Sequence, residues 1–167
     1  MASLQTFLDL YTEQLRDLYS AETQILDALP KMIEAATDAD LKSGFQMHLE
    51  ETRGQQQRLV SIFSAMGQDP GGHTCAAMKG ILKEGDEFIK ESKDTPSDVR
   101  DAGLIAAAQR VEHYEIAAYG TVCEFAKNLG RHDDLALLKE TIAQEKATDE
   151  KLSKLAEGWI NAAAAQA

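Results

Sequence analysis

Two glutamates, three residues apart, interrupt an Ala-rich segment that otherwise has the apolar spacing of a buried helix. In RVEHYEIAAYG (110–120), Glu115 falls on the apolar stripe and Glu112 lies beside it. Glu22 and Glu145 interrupt the stripes of their own segments in the same way. A carboxylate buried alone costs several kcal/mol, and gathered carboxylates also repel one another. Because no Lys or Arg lies on these stripes at that level, a pair of divalent or trivalent metal ions is the expected counter-charge.

A second segment, 39–66, adds a histidine and further oxygen ligands to this set. Its stripe passes through His48 and Gln55, with Glu51 beside that face, and Asp149 continues the stripe of the fourth segment. Carboxylates with some histidine suit iron, with manganese as the alternative, and the missing cysteine cluster argues against structural zinc. The candidate ligands are therefore Glu22, His48, Glu51, Gln55, Glu112, Glu115, Glu145 and Asp149.

Each of these residues has an ordinary structural explanation when it is taken singly. A glutamate on an apolar stripe is usually a helix-edge residue whose carboxylate reaches water. His48 alone is more often a satisfied histidine in the core or at its rim. His113 lies about 200° around the helix from both Val111 and Glu115, so we expect it to point away from the core. Metal binding is favoured because four separate segments place an acidic residue on or beside the inward stripe, near mid-helix.

The elements that must position these residues are four long amphipathic helices. Ala, Leu, Glu, Lys and Gln dominate, β-branched runs are absent, and the sequence therefore predicts an all-α fold. The apolar spacing predicts long helices over 3–36, 39–66, 98–129 and 132–160, and a short helix at 73–92. Pro30 is expected to bend or split the first helix. Two short turns and one long link between the second and third helices predict a ferritin-like four-helix bundle with one long crossover.

Composition narrows the functional classes. The 167 residues suffice for one domain, expected over 1–160, with 161–167 a frayed Ala-rich tail. Because 28 Asp and Glu outnumber 17 Lys and Arg, the net charge of −11 repels phosphate backbones, and we expect no nucleic-acid partner. No apolar run approaches the ~20 residues of a membrane span. The N-terminus lacks the pattern of a signal peptide, and two cysteines suit a reducing environment, so we expect a cytoplasmic protein.

Four stretches carry a resemblance to a known family. LYSAE, HLEETRGQ, RVEHYEIAAYGT and LLKETIAQEKATDEKL resemble the YciE/YciF family of bacterial stress-associated proteins, and the resemblance extends from about Leu8 to Ala156. It implies a ferritin-like fold similar to that of rubrerythrin, and a dimer paired largely through the first two helices. It also implies a di-iron type of site, but no established reaction.

The resemblance implies a ligand pattern that this sequence follows only in part. Ferritin-like sites use a Glu on the first helix, Glu-x-x-His on the second and fourth, and one or two Glu on the third. The glutamates that match are Glu22, Glu51, Glu112, Glu115 and Glu145. Gly54 and Thr148 stand where the two histidines are expected. Gln55 and Asp149, each one residue further on, and His48, one turn earlier, are the available substitutes.

Two functional hypotheses follow. The first is a stress-associated protein with a carboxylate-rich di-iron or di-manganese site that handles iron or peroxide. The second is a non-catalytic helical dimer that acts as a binding or scaffolding protein and retains a vestigial metal site, which the missing histidines favour.

Overall fold

The structure is a computed structural model that describes residues 4–167, and all regular elements in that range are helical. In chain order they are α1 (Phe7–Ala35), α2 (Ala39–Ala65), α3 (Ala76–Glu91), α4 (Ser97–Asn128), α5 (His132–Leu155), a π-helical turn (Ala156–Ile160) and α6 (Asn161–Ala164). The all-α prediction is confirmed, including the short helix in the long link. Helical conformation continues through α6, past the boundary expected at 160. No helix in the described range is long and apolar enough to cross a membrane.

The four long helices form a ring in which each packs on two neighbours. α1 contacts α2 and α4, and α5 contacts the same two helices from the other side. α3 lies outside the ring against α1 and α4. This arrangement confirms the ferritin-like bundle with one long crossover, because the segment that contains α3 brings the chain from the end of α2 to the start of α4.

Local signals in the sequence set the helix ends. Thr6 accepts a hydrogen bond from the Asp9 amide and forms a capping box at the start of α1. Asp38 caps α2, since its carboxylate accepts from the amides of Asp40 and Leu41. The chain turns after α2 and α4 at Gly67 and Gly130, whose φ angles of 67° and 68° lie in the left-handed region that favours glycine. The predicted helices 39–66 and 98–129 end directly before these two glycines.

Pro30 lies inside α1 without dividing it. The helix runs as one element from Phe7 to Ala35, so of the two expected effects of Pro30, a bend or a split, the split does not occur. Proline removes one N–H from the helix interior and disfavours the helical conformation of the residue before it. Here Ile25 and Leu29, on the preceding turns, are buried in the core. Tertiary packing of that apolar face therefore outweighs the local cost of the proline.

A buried carboxylate connects the first hairpin to α4. Asp101 is 2 % exposed, and its two oxygens accept hydrogen bonds from the amides of Thr37 at 2.9 Å and Asp38 at 2.7 Å. These amides belong to the turn between α1 and α2, where no helical carbonyl is available to them. The contact therefore fixes the turn between α1 and α2 against the N-terminal part of α4.

The core consists of two apolar clusters with a polar layer between them. One cluster contains Leu15 and Leu18 of α1 with Leu59, Val122 and Leu138, and the other contains residues such as Ile25, Phe45, Val111 and Leu152. On every long helix the acidic or histidine candidates lie in sequence between residues of the two clusters. The fold therefore places the polar side chains at one level of the bundle, with apolar packing above and below.

Candidate metal centre

The polar layer contains six of the eight predicted ligands in almost complete burial. All six are 4 % exposed or less, and they come from all four long helices: Glu22, His48, Gln55, Glu112, Glu115 and Glu145. Ionised or strongly polar side chains are rarely this buried unless they are paired or bind a cation. In this layer buried carboxyl groups of α1, α4 and α5 meet the buried imidazole and amide groups of α2.

Four of these residues come close enough to share one cation. One nitrogen or oxygen from each of His48, Glu112, Glu115 and Glu145 lies within 4.8 Å of the corresponding atoms of the others. His48 Nδ1 is 2.9 Å from Glu112 Oε1, so the imidazole of α2 is held against the carboxyl group of α4. In metal sites a carboxylate on one ring nitrogen commonly orients the other nitrogen towards the metal. His48 Nε2 is buried and has no hydrogen-bond partner in the protein.

Two neutral side chains fix the carboxyl groups of Glu145 and Glu22. The amide of Gln55 donates to Glu145 Oε1, and the hydroxyl of Tyr119 donates to Glu22 Oε1. Each contact occupies one oxygen of its glutamate and leaves the second oxygen without a partner. Tyr119 is not among the residues that the sequence predicted for this site. Its position four residues after Glu115, and therefore on the same face of α4, was the available signal.

Unpartnered atoms are concentrated in this layer. Buried side-chain atoms without a protein hydrogen bond include one oxygen each of Glu22, Glu112 and Glu145, both oxygens of Glu115, Nε2 of His48 and Oε1 of Gln55. Buried polar atoms are normally satisfied, and each orphan costs on the order of 1–3 kcal/mol. Six oxygens and one imidazole nitrogen form a donor set that suits iron or manganese better than a soft metal. The residues present therefore fit a metal ion.

Burial and mutual repulsion raise the pKa values of these carboxyl groups, which favours their protonated forms in the metal-free protein. Burial first, and then the nearby charge of Glu145, raise the pKa of Glu22 to about 8. Burial first, and then repulsion from Asp149 and Glu51, raise the pKa of Glu112 to about 8. The pKa values of Glu115 and Glu145 are also raised well above the usual range, first by burial and then by neighbouring carboxylates. A cation that binds here must therefore displace protons.

The other two predicted ligands lie at the edge of the layer. Glu51 is half-buried, and its Oε2 is 3.4 Å from the hydroxyl of Thr148. Asp149 is half-buried and accepts a hydrogen bond of 3.0 Å from Gln109, on the side of the α4–α5 pair. Neither belongs to the group of four that can share one cation. Both lie close enough for their charges to raise the pKa of Glu112.

Positions 54 and 148, where the ferritin-like pattern has histidine, differ in burial. Thr148 is buried in α5, one turn after Glu145, so its side chain points into the bundle. Gly54 is exposed, and a Cβ built on it would meet nothing within 4 Å. A histidine at 54 would therefore point towards solvent. On α2 the inward positions are 48, 52 and 55, and the nitrogen ligand of this helix is available at His48 instead.

The remaining histidines lie outside the layer. His113 is 69 % exposed and its Nε2 is 3.4 Å from Asp149 Oδ1, in agreement with the prediction that it points away from the core. His73 lies in the connection between α2 and α3, where its ring nitrogens contact Glu13 and Asp17 of α1. His132 is exposed at the first residue of α5.

Comparison with known proteins agrees with this architecture. A profile of the family described as "Domain of unknown function (DUF892)" matches residues 6–165. The chain belongs to the DUF892 family. Protein YciF of Escherichia coli (strain K12), a relative of this DUF892 chain, is 43 % identical to it over 160 residues, which are 95 % of each chain. The resemblance drawn from the four sequence stretches is confirmed.

Solved structures extend the comparison to the fold of the DUF892 chain. The crystal structure of the E. coli stress protein YciF matches with a TM-score of 0.88 at 43 % identity, covering 94 % of this chain and 98 % of the other. YcfI from Rhodopseudomonas palustris, which its description provisionally calls a structural protein, matches with a TM-score of 0.87 at 47 % identity, covering 91 % and 96 %. A protein from Xanthomonas campestris pv. campestris (XCC3681) shares the fold, with a TM-score of 0.72 at 17 % identity and 92 % coverage of each chain.

Proposed function

We propose that this DUF892 protein binds a pair of transition-metal ions in its polar layer, iron in the first place and manganese as the alternative, and uses them in the handling of iron or peroxide during stress. The observation that carries the proposal is the set of seven unpartnered ligand atoms that four helices bring to one buried level of the core. Its E. coli relative YciF is described as a stress protein. The 43 % identity across 95 % of both chains supports a related role.

The ligand assignment follows from which residues are neighbours. His48, Glu112, Glu115 and Glu145 would hold one ion, because their ligand atoms lie within 4.8 Å of one another. Glu22 would extend the site to a second ion, since its carboxyl group is close enough to Glu145 for their charges to interact. Glu115 and Glu145 would help to hold this second ion as well. Glu51 and Asp149 lie at the edge, where their charges add to the attraction for a cation without direct ligation.

Bound iron would supply the electrons for reduction of an oxygen reactant, a reaction that none of these side chains can perform alone. The chain's own residues hold the centre in position and keep it dry. Tyr119 and Gln55 fix the orientation of Glu22 and Glu145 through the hydrogen bonds described above. The apolar clusters on both sides exclude bulk water from the layer. Carboxyl groups with raised pKa values can take up or release protons as the charge of the centre changes.

The second candidate function is a non-catalytic helical protein whose metal site has decayed. Two observations favour it: Thr148 occupies a buried position where the ferritin-like pattern has histidine, and the relative YcfI is provisionally described as a structural protein. On this alternative the chain acts as a binding or scaffolding dimer. Metal binding by the purified protein discriminates the two hypotheses directly.

Further properties belong to the same proposal. We propose a homodimer formed through α1 and α2, supported by exposed apolar side chains on these helices: Phe7 and Leu8 near the start of α1, and Met47 on α2. We propose a cytoplasmic location, supported by two buried cysteines that remain unpaired. The net charge of −11 supports the absence of a nucleic-acid partner.

The test is the metal content and metal affinity of a matched pair of double variants. The site variant combines Glu115→Gln with Glu145→Gln, which keeps the side-chain shape and removes two ligand charges. The control combines Glu124→Gln with Glu150→Gln, on the same two helices, where the side chains are 64 % and 67 % exposed. All proteins are purified without chelator and analysed by elemental mass spectrometry and by calorimetric titration with Fe(II) under argon. His48→Ala is measured in the same way.

We expect the control to bind iron as the unmodified protein does, and the site variant to bind none. His48→Ala should bind iron more weakly, because it removes the only imidazole in the layer. Equal iron content in the site variant and the control would refute the metal-binding proposal. An unmodified protein that takes up no Fe(II) or Mn(II) would favour the scaffolding alternative.

A further inference from the structure

A cavity connects the crossover helix to the metal-centre residues. It is lined by residues of α1, α2, α3 and α4, and the two buried polar residues of its lining, His48 and Glu112, mark its inner end. Asp86 of α3 lies at its outer end, where it forms an ion pair of 2.8 Å with Lys31 of α1. The space open to the centre of a water-sized sphere is about 40 Å³. The cavity therefore leads from the α1–α3 surface to the edge of the polar layer.

Small residues keep this cavity open where α3 crosses α4. Gly85 of α3 faces Ala107 of α4, and a Cβ at position 85 would lie 3.8 Å from the Ala107 methyl group. Ala108 forms another part of the wall. One turn along α3, Phe88 packs directly on Gly103, where an added Cβ would come 2.0 Å from the ring. The Phe88–Gly103 contact sets how closely the two helices approach, and the small residues leave the space beside it unfilled.

The walls of the cavity favour an apolar occupant. Between its two ends the lining is apolar and mostly aliphatic, with side chains such as Ile25, Leu29, Ile81 and Leu82 that offer no hydrogen bond. A polar molecule that enters would lose hydrogen bonds to water without replacement until it reached the inner end. One water molecule needs roughly 10–15 Å³ on this scale, so 40 Å³ accommodates a molecule of only a few heavy atoms.

We propose that this cavity binds a small apolar molecule of the size of dioxygen beside His48 and Glu112, and so admits dioxygen to the centre in preference to hydrogen peroxide. The proposal rests on the proposed metal centre for its functional meaning, but the binding of an apolar gas requires only the cavity itself. Hydrogen peroxide has a similar size and four hydrogen-bonding sites, so the aliphatic walls select against it.

Xenon is a direct probe of the cavity, because it binds in apolar cavities of proteins without any chemical reaction. Crystals of the metal-free protein pressurised with xenon should show the atom between α1, α3 and α4. Ala108→Leu fills the cavity and should abolish the xenon site. Ala106→Leu is the matched control, since position 106 is exposed on the same helix, and it should leave xenon binding unchanged.

A second pair of variants consists of Gly85→Ala, which narrows the cavity with little risk to the fold, and Gly80→Ala, which is its matched control. Gly85→Ala adds one methyl group in ordinary contact with Ala107, whereas Gly80→Ala adds the same group on the exposed side of α3. Both changes favour the helical conformation, so both proteins should melt at a higher temperature than the original. Only Gly85→Ala should weaken xenon binding. A weakened site in a more stable protein cannot be attributed to misfolding.

Iron-loaded protein then distinguishes the two reactants. In stopped-flow measurements Ala108→Leu should slow the oxidation of bound Fe(II) by dioxygen and leave the rate with hydrogen peroxide unchanged, with Ala106→Leu as the reference. Absence of xenon from the original protein, or equal xenon binding by Gly85→Ala and Gly80→Ala, would overturn the cavity proposal. Equal slowing with both oxidants would overturn the selectivity. A xenon site in a protein that takes up no iron would refute the metal centre while leaving the cavity established.

Discussion

Replacement of Glu22 by glutamine should make the metal-free protein more stable at neutral pH. Glu22 is fully buried, and its pKa is raised from the usual 4.5 to about 8, first by burial and then by the charge of Glu145. Between these two pH values the native protein holds a proton that the unfolded chain releases. Folding then takes up a proton, so the free energy of unfolding decreases as the pH rises through this window.

The expected magnitude follows from this pKa difference. One extra proton in the native state corresponds to a slope of about 1.4 kcal/mol per pH unit, and the full shift makes the ionised form about 5 kcal/mol less favourable. Glutamine carries no charge and can still accept the hydrogen bond from the Tyr119 hydroxyl through its carbonyl oxygen. Glu22→Gln should therefore weaken the pH dependence of the free energy of unfolding by the contribution of one proton. The increase in the free energy of unfolding should be largest near pH 8, where we expect several kcal/mol.

Urea unfolding in the presence of a chelator, repeated from about pH 5 to about pH 8, measures this slope. Glu124→Gln provides the control, because Glu124 is exposed on α4, where its carboxylate pairs with Lys127 at 3.4 Å. The control should reproduce the slope of the original protein. If Glu22→Gln also reproduced it, Glu22 would be ionised in the native protein at neutral pH, and the account of a protonated, metal-free layer would be wrong. The gain should reverse when Fe(II) is added, because the variant lacks a ligand.

Three further predictions concern packing, capping and ligand linkage. Gly103→Ala should destabilise the protein by about 1–3 kcal/mol, because the new Cβ would overlap the Phe88 ring, whereas Gly54→Ala should stabilise it by about 0.5–1 kcal/mol in the same thermal melts. Asp101→Ala should cost about 1.5–3 kcal/mol through the loss of two backbone hydrogen bonds, and the same change at the exposed Asp98 should have little effect on urea unfolding. Fe(II) at about a thousand times its dissociation constant should raise the free energy of unfolding by about 4 kcal/mol, and chelator should remove this gain; an unchanged melting temperature would contradict metal binding by the native state.

The sequence by itself determined the helices and which of their faces carry carboxyl groups. Helical periodicity is a local property, since each residue advances about 100° around the axis whatever surrounds the helix. The stripes therefore identified Glu22, Glu115 and Glu145 as inward residues and His113 as an outward one, and the structure agrees. The glycines at 67 and 130 and the long link between α2 and α4 were also sufficient to indicate the connectivity of the bundle.

Only the tertiary structure decided how residues at the edge of a stripe are placed. Glu51 and His48 are both near the inward face of α2, but the packing of α4 and α5 leaves Glu51 half-buried and encloses His48 against Glu112. The hydrogen bond from Tyr119 to Glu22 joins residues that are 97 positions apart, so no local pattern contains it. The cavity beneath α3 likewise depends on how far Phe88 holds that helix from its neighbours. Periodicity fixes the direction of a side chain relative to its own helix axis, whereas the rotation and spacing of the packed helices decide which directions meet.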